Sequence, residues 1–124
     1  MATSEITGTW SLMIGRYSPL HKGHITLARK ILDEGGKVCF GIRNTLLSDR
    51  DPFTITKRIQ MIVEEFGEEI NKQRVSYVVL PDIKEIVFGR KVGWGIREIR
   101  LDKQTEEISA TKIREQMKNR RKSA

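Results

Sequence analysis

The chain has 124 residues, of which 38% are hydrophobic and 31% charged, with a formal net charge of +7. This length predicts one domain over residues 1–124 with a single core, and no apolar run approaches the roughly 20 residues that a membrane span needs. The single cysteine, Cys39, excludes an internal disulfide and lies in an apolar run.

The two ends of the chain differ in charge. Residues 1–9 are polar and lack the apolar core of a signal peptide, so we expect a cytoplasmic protein without a membrane partner. Residues 112–122 hold six basic residues and one acidic residue, a net charge of +5. Such a cluster either attracts nucleic acid or complements the negative end of a helix dipole. Residues 1–9 and 119–124 are expected to be loose.

Apolar runs alternate with helical patterns along the first half of the chain, which is typical of β-α-β units. Residues 10–15 predict a first strand that is buried on both faces. Residues 23–33 predict a helix, because their apolar positions fall on one face, and Gly35-Gly36 should end it. Residues 38–42 predict the second strand.

The second half continues the same alternation. A helix after Pro52 is predicted to start at Thr54 or Thr56 and to end at Gly67. Residues 75–80, 86–88 and 98–101 predict three more strands, and a last helix should begin near Thr111. The second helix should bury a stripe of apolar residues: Ile59, Ile62, Val63 and Phe66.

Together these elements predict an α/β fold, a Rossmann-like doubly wound parallel sheet of about five strands with flanking helices. In such sheets ligands bind outside the carboxyl ends of the strands. We therefore expect the functional site in residues 16–23, 43–54 and 81–84 and in the turn before the last helix.

The loop from Gly15 to His24 reads G-R-Y-S-P-L-H-K-G-H and runs from the first strand into the first helix. Gly15 and Gly23 lack a Cβ, so the backbone can approach a ligand closely there. Free N–H groups at the helix start form an anion site. His21 and His24 are spaced so that both imidazoles can face one phosphate. One cysteine and no further histidine leave too few ligands for a metal site, so we expect none.

This loop closely resembles the G-x-F-x-P-x-H-x-G-H signature of the HIGH-motif nucleotidyltransferases, with Tyr17 in place of the usual Phe. Their second signature, I-S-S-T-x-x-R, resembles residues 108–114, where Ala110 replaces the second Ser. The two motifs lie in the order and the structural contexts that the family has. The resemblance extends over about residues 10–117.

The resemblance implies an enzyme that moves a nucleoside monophosphate from a nucleoside triphosphate to a small phosphorylated acceptor and releases pyrophosphate. Mg²⁺ is expected with the triphosphate, while Asp49 and Asp51 are expected to be solvated loop residues. The implied catalytic residues are His21, His24 and Arg114. The implied nucleotide-binding residues are Gly15, Arg16, Tyr17, Ser18, Gly23, Ser109 and Thr111.

Residues 51–58, D-P-F-T-I-T-K-R, resemble a segment of compact archaeal-type nicotinamide mononucleotide adenylyltransferases. The substrates implied are ATP and nicotinamide mononucleotide, giving NAD. Trp94 is expected to be a packed indole, with a stacking face for the acceptor as the alternative. The stretch before the last motif is shorter than in that group, which leaves the identity of the acceptor open. The residues expected at the acceptor are Arg43, Asn44, Arg58, Asp82 and Trp94.

Other acceptors and one other class of protein remain open. Residues 104–109 faintly resemble a segment of glycerol-3-phosphate cytidylyltransferases, which use CTP, and phosphopantetheine is a third acceptor. A non-catalytic nucleic-acid-binding module would use the basic cluster of residues 112–122. The nearly complete catalytic signatures argue against nucleic acid as the partner. A homo-oligomer is compatible with the sequence.

Overall fold

The structure is a computed structural model that describes residues 8–49, 51–87, 89 and 93–99. Its three strands pair in parallel in the order β1-β2-β3. The α/β class with a parallel sheet and flanking helices is therefore confirmed. No helix in these ranges is both long and apolar enough to cross a membrane. In chain order the elements are β1 (Ser11–Gly15), α1 (Lys22–Asp33), β2 (Val38–Arg43), α2 (Ile55–Asn71) and β3 (Val75–Leu80).

Both helices cover the same face of the sheet. Strands in sequential order with right-handed crossovers place successive helices on one side, and Arg29 of α1 pairs with Glu65 at 3.7 Å and with Glu69, both on α2. The shared core combines residues from both helices with the inward positions of β2 and β3: Ala28, Ile31, Leu32, Val38, Phe40, Ile42, Ile62, Phe66 and Val75.

The opposite face of the sheet explains a wrong prediction about β1. Leu12 is 53% exposed and Ile14 is 37% exposed, so β1 is not buried on both faces. Both side chains flank Gly41 of β2, on the face away from the helices. A Cβ at Gly41 would lie 2.8 Å from Leu80 Cδ1, so this face packs closely around a bare backbone.

The predicted fourth and fifth strands are not confirmed. Residues 86–87 and 98–99 lie in no strand. Ile86 and Val87 are 64% and 79% exposed, and two apolar residues with no layer packed on them do not hold a strand in place. The remaining residues of both ranges, and the last helix expected near Thr111, lie outside the described residues.

The helix ends follow the predicted capping residues, with one exception. Gly35 has φ +87, and the Gly36 N–H donates to the Ile31 carbonyl at 3.0 Å, which ends α1 as expected. Thr54 caps α2 by accepting from the Lys57 N–H at 3.1 Å. The predicted end at Gly67 is wrong.

Helix α2 instead continues to Asn71 through a kink at Phe66, where φ is −116 and ψ is 22. Phe66 is fully buried, and Ile70 in the turn beyond the glycine packs against the core, so tertiary packing continues past Gly67. Val63 is 40% exposed and does not belong to the buried stripe, which was a second wrong detail of this helix.

Candidate functional site

The loops that follow the three strands meet at one edge of the sheet. Arg58 Nη1 lies 3.0 Å from the Arg43 carbonyl at the end of β2 and 3.4 Å from the Arg16 carbonyl just after β1. Arg43 Nε donates to Asp82 Oδ1 at 2.9 Å, which joins the end of β2 to the loop after β3. The expected grouping of these segments is therefore present in the structure.

The two histidines form a reciprocal cap at the start of α1. His21 is the N-cap residue, and its Nδ1 accepts from the Gly23 N–H at 3.0 Å. His24 Nδ1 in turn accepts from the His21 N–H at 3.2 Å. The two rings stack with their centroids 3.8 Å apart. The side-by-side arrangement expected from their spacing is thus observed.

These contacts fix where each imidazole carries its hydrogen. A ring nitrogen that accepts a hydrogen bond has a free lone pair, so the hydrogen of each ring is on Nε2. Burial, and then the neighbouring His21, lower the pKa of His24 from 6.5 to about 3. His24 is therefore a neutral Nε2–H donor at neutral pH.

The cap also changes how this helix start can bind an anion. The N–H groups of His21 and Gly23 are engaged by the imidazoles, so they are not the free donors that the sequence suggested. The hydrogens that the two rings carry are on their Nε2 atoms. Both histidines are partly exposed.

Tyr17 supports the histidine pair from below. Its ring is 2% exposed and packs edge-on against His24 at 4.8 Å and Phe40 at 5.2 Å. Its hydroxyl donates to the Met13 carbonyl at 2.5 Å, and burial raises the pKa of the phenol far above its usual value. The ring therefore lies inside the core; the nucleotide-binding role expected for Tyr17 is not a contact of this ring and otherwise stays a prediction.

Gly15 makes room for a neighbouring side chain, whereas the sequence suggested that it lets the backbone approach a ligand. A Cβ at this position would lie 3.1 Å from Tyr17 Cζ, so the missing side chain makes room for the Tyr17 ring. Ser18 is fully buried as well, and its Oγ accepts from the Phe53 N–H at 3.4 Å. The Ser18 side chain thus joins the loop after β1 to the loop before α2, and the nucleotide-binding role expected for Ser18 stays a prediction.

Arg58 differs most from its predicted role at the acceptor. Its side chain is fully buried, and Nε donates to the Phe53 carbonyl at 2.7 Å. Nη1 lies 3.1 Å from Thr45 Oγ1, and Nη2 lies 2.9 Å from Asp51 Oδ1. The last contact is an ion pair outside hydrogen-bond geometry. A guanidinium enclosed in this way faces the loops and not a ligand in solvent.

Asp51 was expected in solvent and is instead 2% exposed. Thr45 Oγ1 donates to its second carboxylate oxygen, Oδ2. Thr45 and Asp51 lie in the segment 43–54 that was expected at this edge, but their buried contacts with Arg58 were not predicted. A signal was available, because Arg58 stands four residues before the buried Ile62 on the inward face of α2, where a charge needs a buried partner.

The remaining expected residues differ in where the structure places them. Arg43 is paired with Asp82, and the N–H of the exposed Asn44 donates to the Leu80 carbonyl at 2.8 Å, so these three lie at the carboxyl edge. Trp94 is 77% exposed, which contradicts the expected packed indole and leaves the stacking alternative. Arg16 is exposed at the same edge. Ser109, Thr111 and Arg114 lie outside the described residues.

Among the described residues no group of three or more His, Cys, Asp and Glu side chains could hold a metal ion. The carboxylate of Asp51 is already paired with Arg58. The exposed groups at this edge include the Arg16 side chain and, partly exposed, the two imidazoles.

The described residues form a parallel α/β sheet with a histidine-capped helix start at its carboxyl edge. Residues 12–75, more than half of the chain, match the family model described as Cytidylyltransferase-like. The chain belongs to this family.

Three curated relatives are 34–35% identical to this chain over the aligned residues. A nicotinamide-nucleotide adenylyltransferase of Methanococcus vannielii is 34% identical over 80 residues, which are 63% of this chain and 44% of that protein. The enzyme of the same name from Pyrococcus abyssi is 35% identical over 74 residues, which are 58% of this chain and 40% of that protein. The enzyme of the same name from Methanococcus aeolicus is 35% identical over 80 residues, which are 63% of this chain and 44% of that protein. The alignments thus span less than half the length of these relatives.

Proposed function

We propose that this chain is a nucleotidyltransferase that moves AMP from ATP to nicotinamide mononucleotide, forming NAD and pyrophosphate. The observation that carries the proposal is the reciprocal cap, which gives His21 and His24 each an Nε2–H at the carboxyl edge of the sheet. The choice of substrates is supported by the names of the relatives, all nicotinamide-nucleotide adenylyltransferases.

The histidine pair suits a phosphate that gains negative charge during reaction. Donors that are fixed before the reaction stabilise developing charge without reorganisation. The cap holds both rings through Nδ1, and the Tyr17 ring packs edge-on against His24. In the proposal the two Nε2–H groups donate to the non-bridging oxygens of the α-phosphate.

The proposed reaction needs no general base. A phosphate oxygen of the acceptor, already anionic at neutral pH, attacks the α-phosphorus and forms the new P–O bond. The bond from the α-phosphorus to the α,β-bridging oxygen breaks, and pyrophosphate leaves with that electron pair. Positioning and charge stabilisation then supply the rate enhancement. Mg²⁺ arrives as part of the triphosphate substrate and neutralises charge on its oxygens.

The other phosphate contacts rest on the resemblance. Arg16 is exposed just beyond β1, and we propose that it contacts the triphosphate. Ser109, Thr111 and Arg114 would receive the β- and γ-phosphates. On the acceptor side we propose Arg43, Asn44 and Asp82 at the carboxyl edge, with Trp94 as a stacking face.

A second candidate is a CTP-dependent cytidylyltransferase that acts on glycerol 3-phosphate. It is favoured by the family description, Cytidylyltransferase-like. The same histidine pair and the same in-line chemistry would serve it. Only the base and the acceptor differ.

The test is pyrophosphate release by the full chain with ATP or CTP, each combined with nicotinamide mononucleotide, glycerol 3-phosphate and phosphopantetheine. We expect release with ATP and nicotinamide mononucleotide. A profile restricted to CTP would replace the first candidate by the second. Release with none of the six pairs would contradict the nucleotidyltransferase proposal itself.

A further inference from the structure

A buried polar cluster connects three separate segments behind the histidine pair. We call it the Arg58 clasp and define it as the side chains of Arg58, Asp51 and Thr45 with the carbonyls of Arg16, Arg43 and Phe53. Arg58 is fully buried and Asp51 is 2% exposed, so the charges of the pair are removed from water. The Arg58 clasp is therefore a costly arrangement unless its geometry is satisfied.

The contacts of the guanidinium reach in three directions. Nε donates to Phe53 O at 2.7 Å, in the turn before α2. Nη1 reaches Arg43 O at 3.0 Å and Thr45 Oγ1 at 3.1 Å after β2, and Arg16 O at 3.4 Å after β1. One rigid planar group thus spans the two loops that contain the histidine pair and the acceptor-side residues.

The proposed reaction depends on how the loop after β1 and the loop after β2 are positioned relative to each other. Arg16 lies five residues before His21 in the loop after β1. Arg43 and Asn44 form the start of the loop after β2. Because the reaction joins a triphosphate held by one loop to an acceptor held by the other, its rate depends on the distance between the loops.

We infer that Arg58 is a positioning residue that fixes the loop after β1 against the loop after β2 and so sets the spacing of the two substrates. This inference rests on the proposed function for its catalytic consequence, but its structural part concerns the loops alone. Lysine cannot replace arginine here, because an ammonium group lacks the planar set of donors that reaches several carbonyls at once.

Arg74 provides a matched control at the opposite edge of the sheet. Its Nη2 donates to the Leu32 carbonyl at 2.6 Å and to the Gly36 carbonyl at 3.1 Å, after α1. Both arginines thus join backbone segments through carbonyl oxygens. Only Arg58 does so beside the residues proposed to bind substrates. Arg58→Lys and Arg74→Lys are therefore compared in the full chain.

The first measurement is steady-state pyrophosphate release. In Arg58→Lys we expect kcat to fall roughly 100-fold, the scale of a small misplacement of reacting groups, with the KM for the nucleotide nearly unchanged. In Arg74→Lys we expect kcat per folded molecule to stay at the wild-type value. Equal kcat values for the two variants, after correction for the folded fraction, would overturn the positioning role.

The second measurement is amide hydrogen exchange, which needs no activity. We expect exchange in residues 16–20 and 44–53 to become on the order of tenfold faster in Arg58→Lys than in Arg74→Lys. Equal exchange in the two variants would overturn the structural part of the inference. If the wild-type chain proves inactive with every substrate pair, the proposed function fails, and this comparison still decides whether the Arg58 clasp holds the loops.

Thr45 supplies a milder pair of variants in case Arg58→Lys does not fold. Thr45→Val removes the hydroxyl that accepts from Arg58 and donates to Asp51. Thr45→Ser keeps that hydroxyl. We expect Thr45→Val to lower kcat and speed exchange in the two loops, and Thr45→Ser to restore both. The same loss in both variants would contradict the inference.

Discussion

The two edges of the sheet are built differently. At the amino edge the chain turns through Gly35 and through Gln73, which has φ +59, and Arg74 joins the backbone to the end of α1. At the carboxyl edge an arginine again joins backbone segments, but here it is fully buried and paired with the buried Asp51. The histidine pair lies at this second edge.

At the carboxyl edge the fold buries charged groups, which costs stability unless they are well paired. The amino edge uses short turns whose geometry glycine and a few backbone hydrogen bonds satisfy. The carboxyl edge buries a charge pair and turns the imidazoles into caps. The Arg58 guanidinium holds three backbone carbonyls of this edge in place, and the proposed in-line transfer would require such positioning. Four predictions test this contrast, beginning with the largest expected effect.

Removing the charge of Arg58 should destabilise the protein most. Arg58→Met leaves Asp51 buried without its partner, and we expect a loss of about 3–5 kcal/mol in the free energy of unfolding. The double variant Asp51→Asn/Arg58→Met should lose less, since it leaves no buried charge. Urea unfolding of the two variants measures both values. A double variant less stable than the single one would contradict the buried-pair interpretation.

Removing one imidazole donor should have the next largest effect. Asn can keep an oxygen near the position of Nδ1, where His24 accepts from the His21 N–H, but it has no group at Nε2. We expect His24→Asn to lower kcat by roughly 100-fold, the scale of one lost oxyanion donor. Pyrophosphate release measures this, with melting temperature as the control for folding. Near-normal turnover would remove His24 from the proposed mechanism.

The stability of the protein should depend on pH through His24. Its pKa is lowered from 6.5 to about 3 in the folded chain, so the unfolded chain binds more protons between these values. Stability therefore falls as the pH is lowered from 6.5 towards 3, by at most about 1 kcal/mol per pH unit because the ring is partly exposed. Urea unfolding at several pH values should show a smaller slope for His24→Asn. Equal slopes for the two proteins would contradict the lowered pKa.

The smallest effect should come from Tyr17→Phe, which restores the residue usual in the motif that this loop resembles. The variant loses the hydrogen bond from the Tyr17 hydroxyl to the Met13 carbonyl and keeps the ring contact with His24. We expect a loss of about 1 kcal/mol in the free energy of unfolding, with little change in kcat. A large loss of turnover in the folded variant would show that the hydroxyl has a role beyond packing.

The sequence predicted the parts of the fold that depend on local signals. Gly35 ended α1, Thr54 capped α2, and the spacing of His21 and His24 placed both rings together, because each depends on residues within one or two turns. The predicted end of α2 was wrong, because core packing continues beyond Gly67 at Ile70.

The contacts of the Arg58 clasp could not be predicted from local sequence patterns. Its guanidinium contacts residues 5 to 42 positions away along the chain, and only the folded sheet brings their carbonyls together. Tyr17 and Ser18 were expected at the ligand because they belong to the motif loop. A motif indicates which residues belong to a site but not which of them turn inward to support it.

We propose that a nucleoside triphosphate binds at the carboxyl edge of the sheet. Titration of the ¹⁵N-labelled chain with MgATP or MgCTP, followed by NMR, locates the nucleotide directly. We expect the largest shift changes at the amides of Arg16, His21, Gly23 and His24, with little change at Gly35, Gly36 and Gln73. Changes centred on the amino edge, or none with either nucleotide, would contradict it.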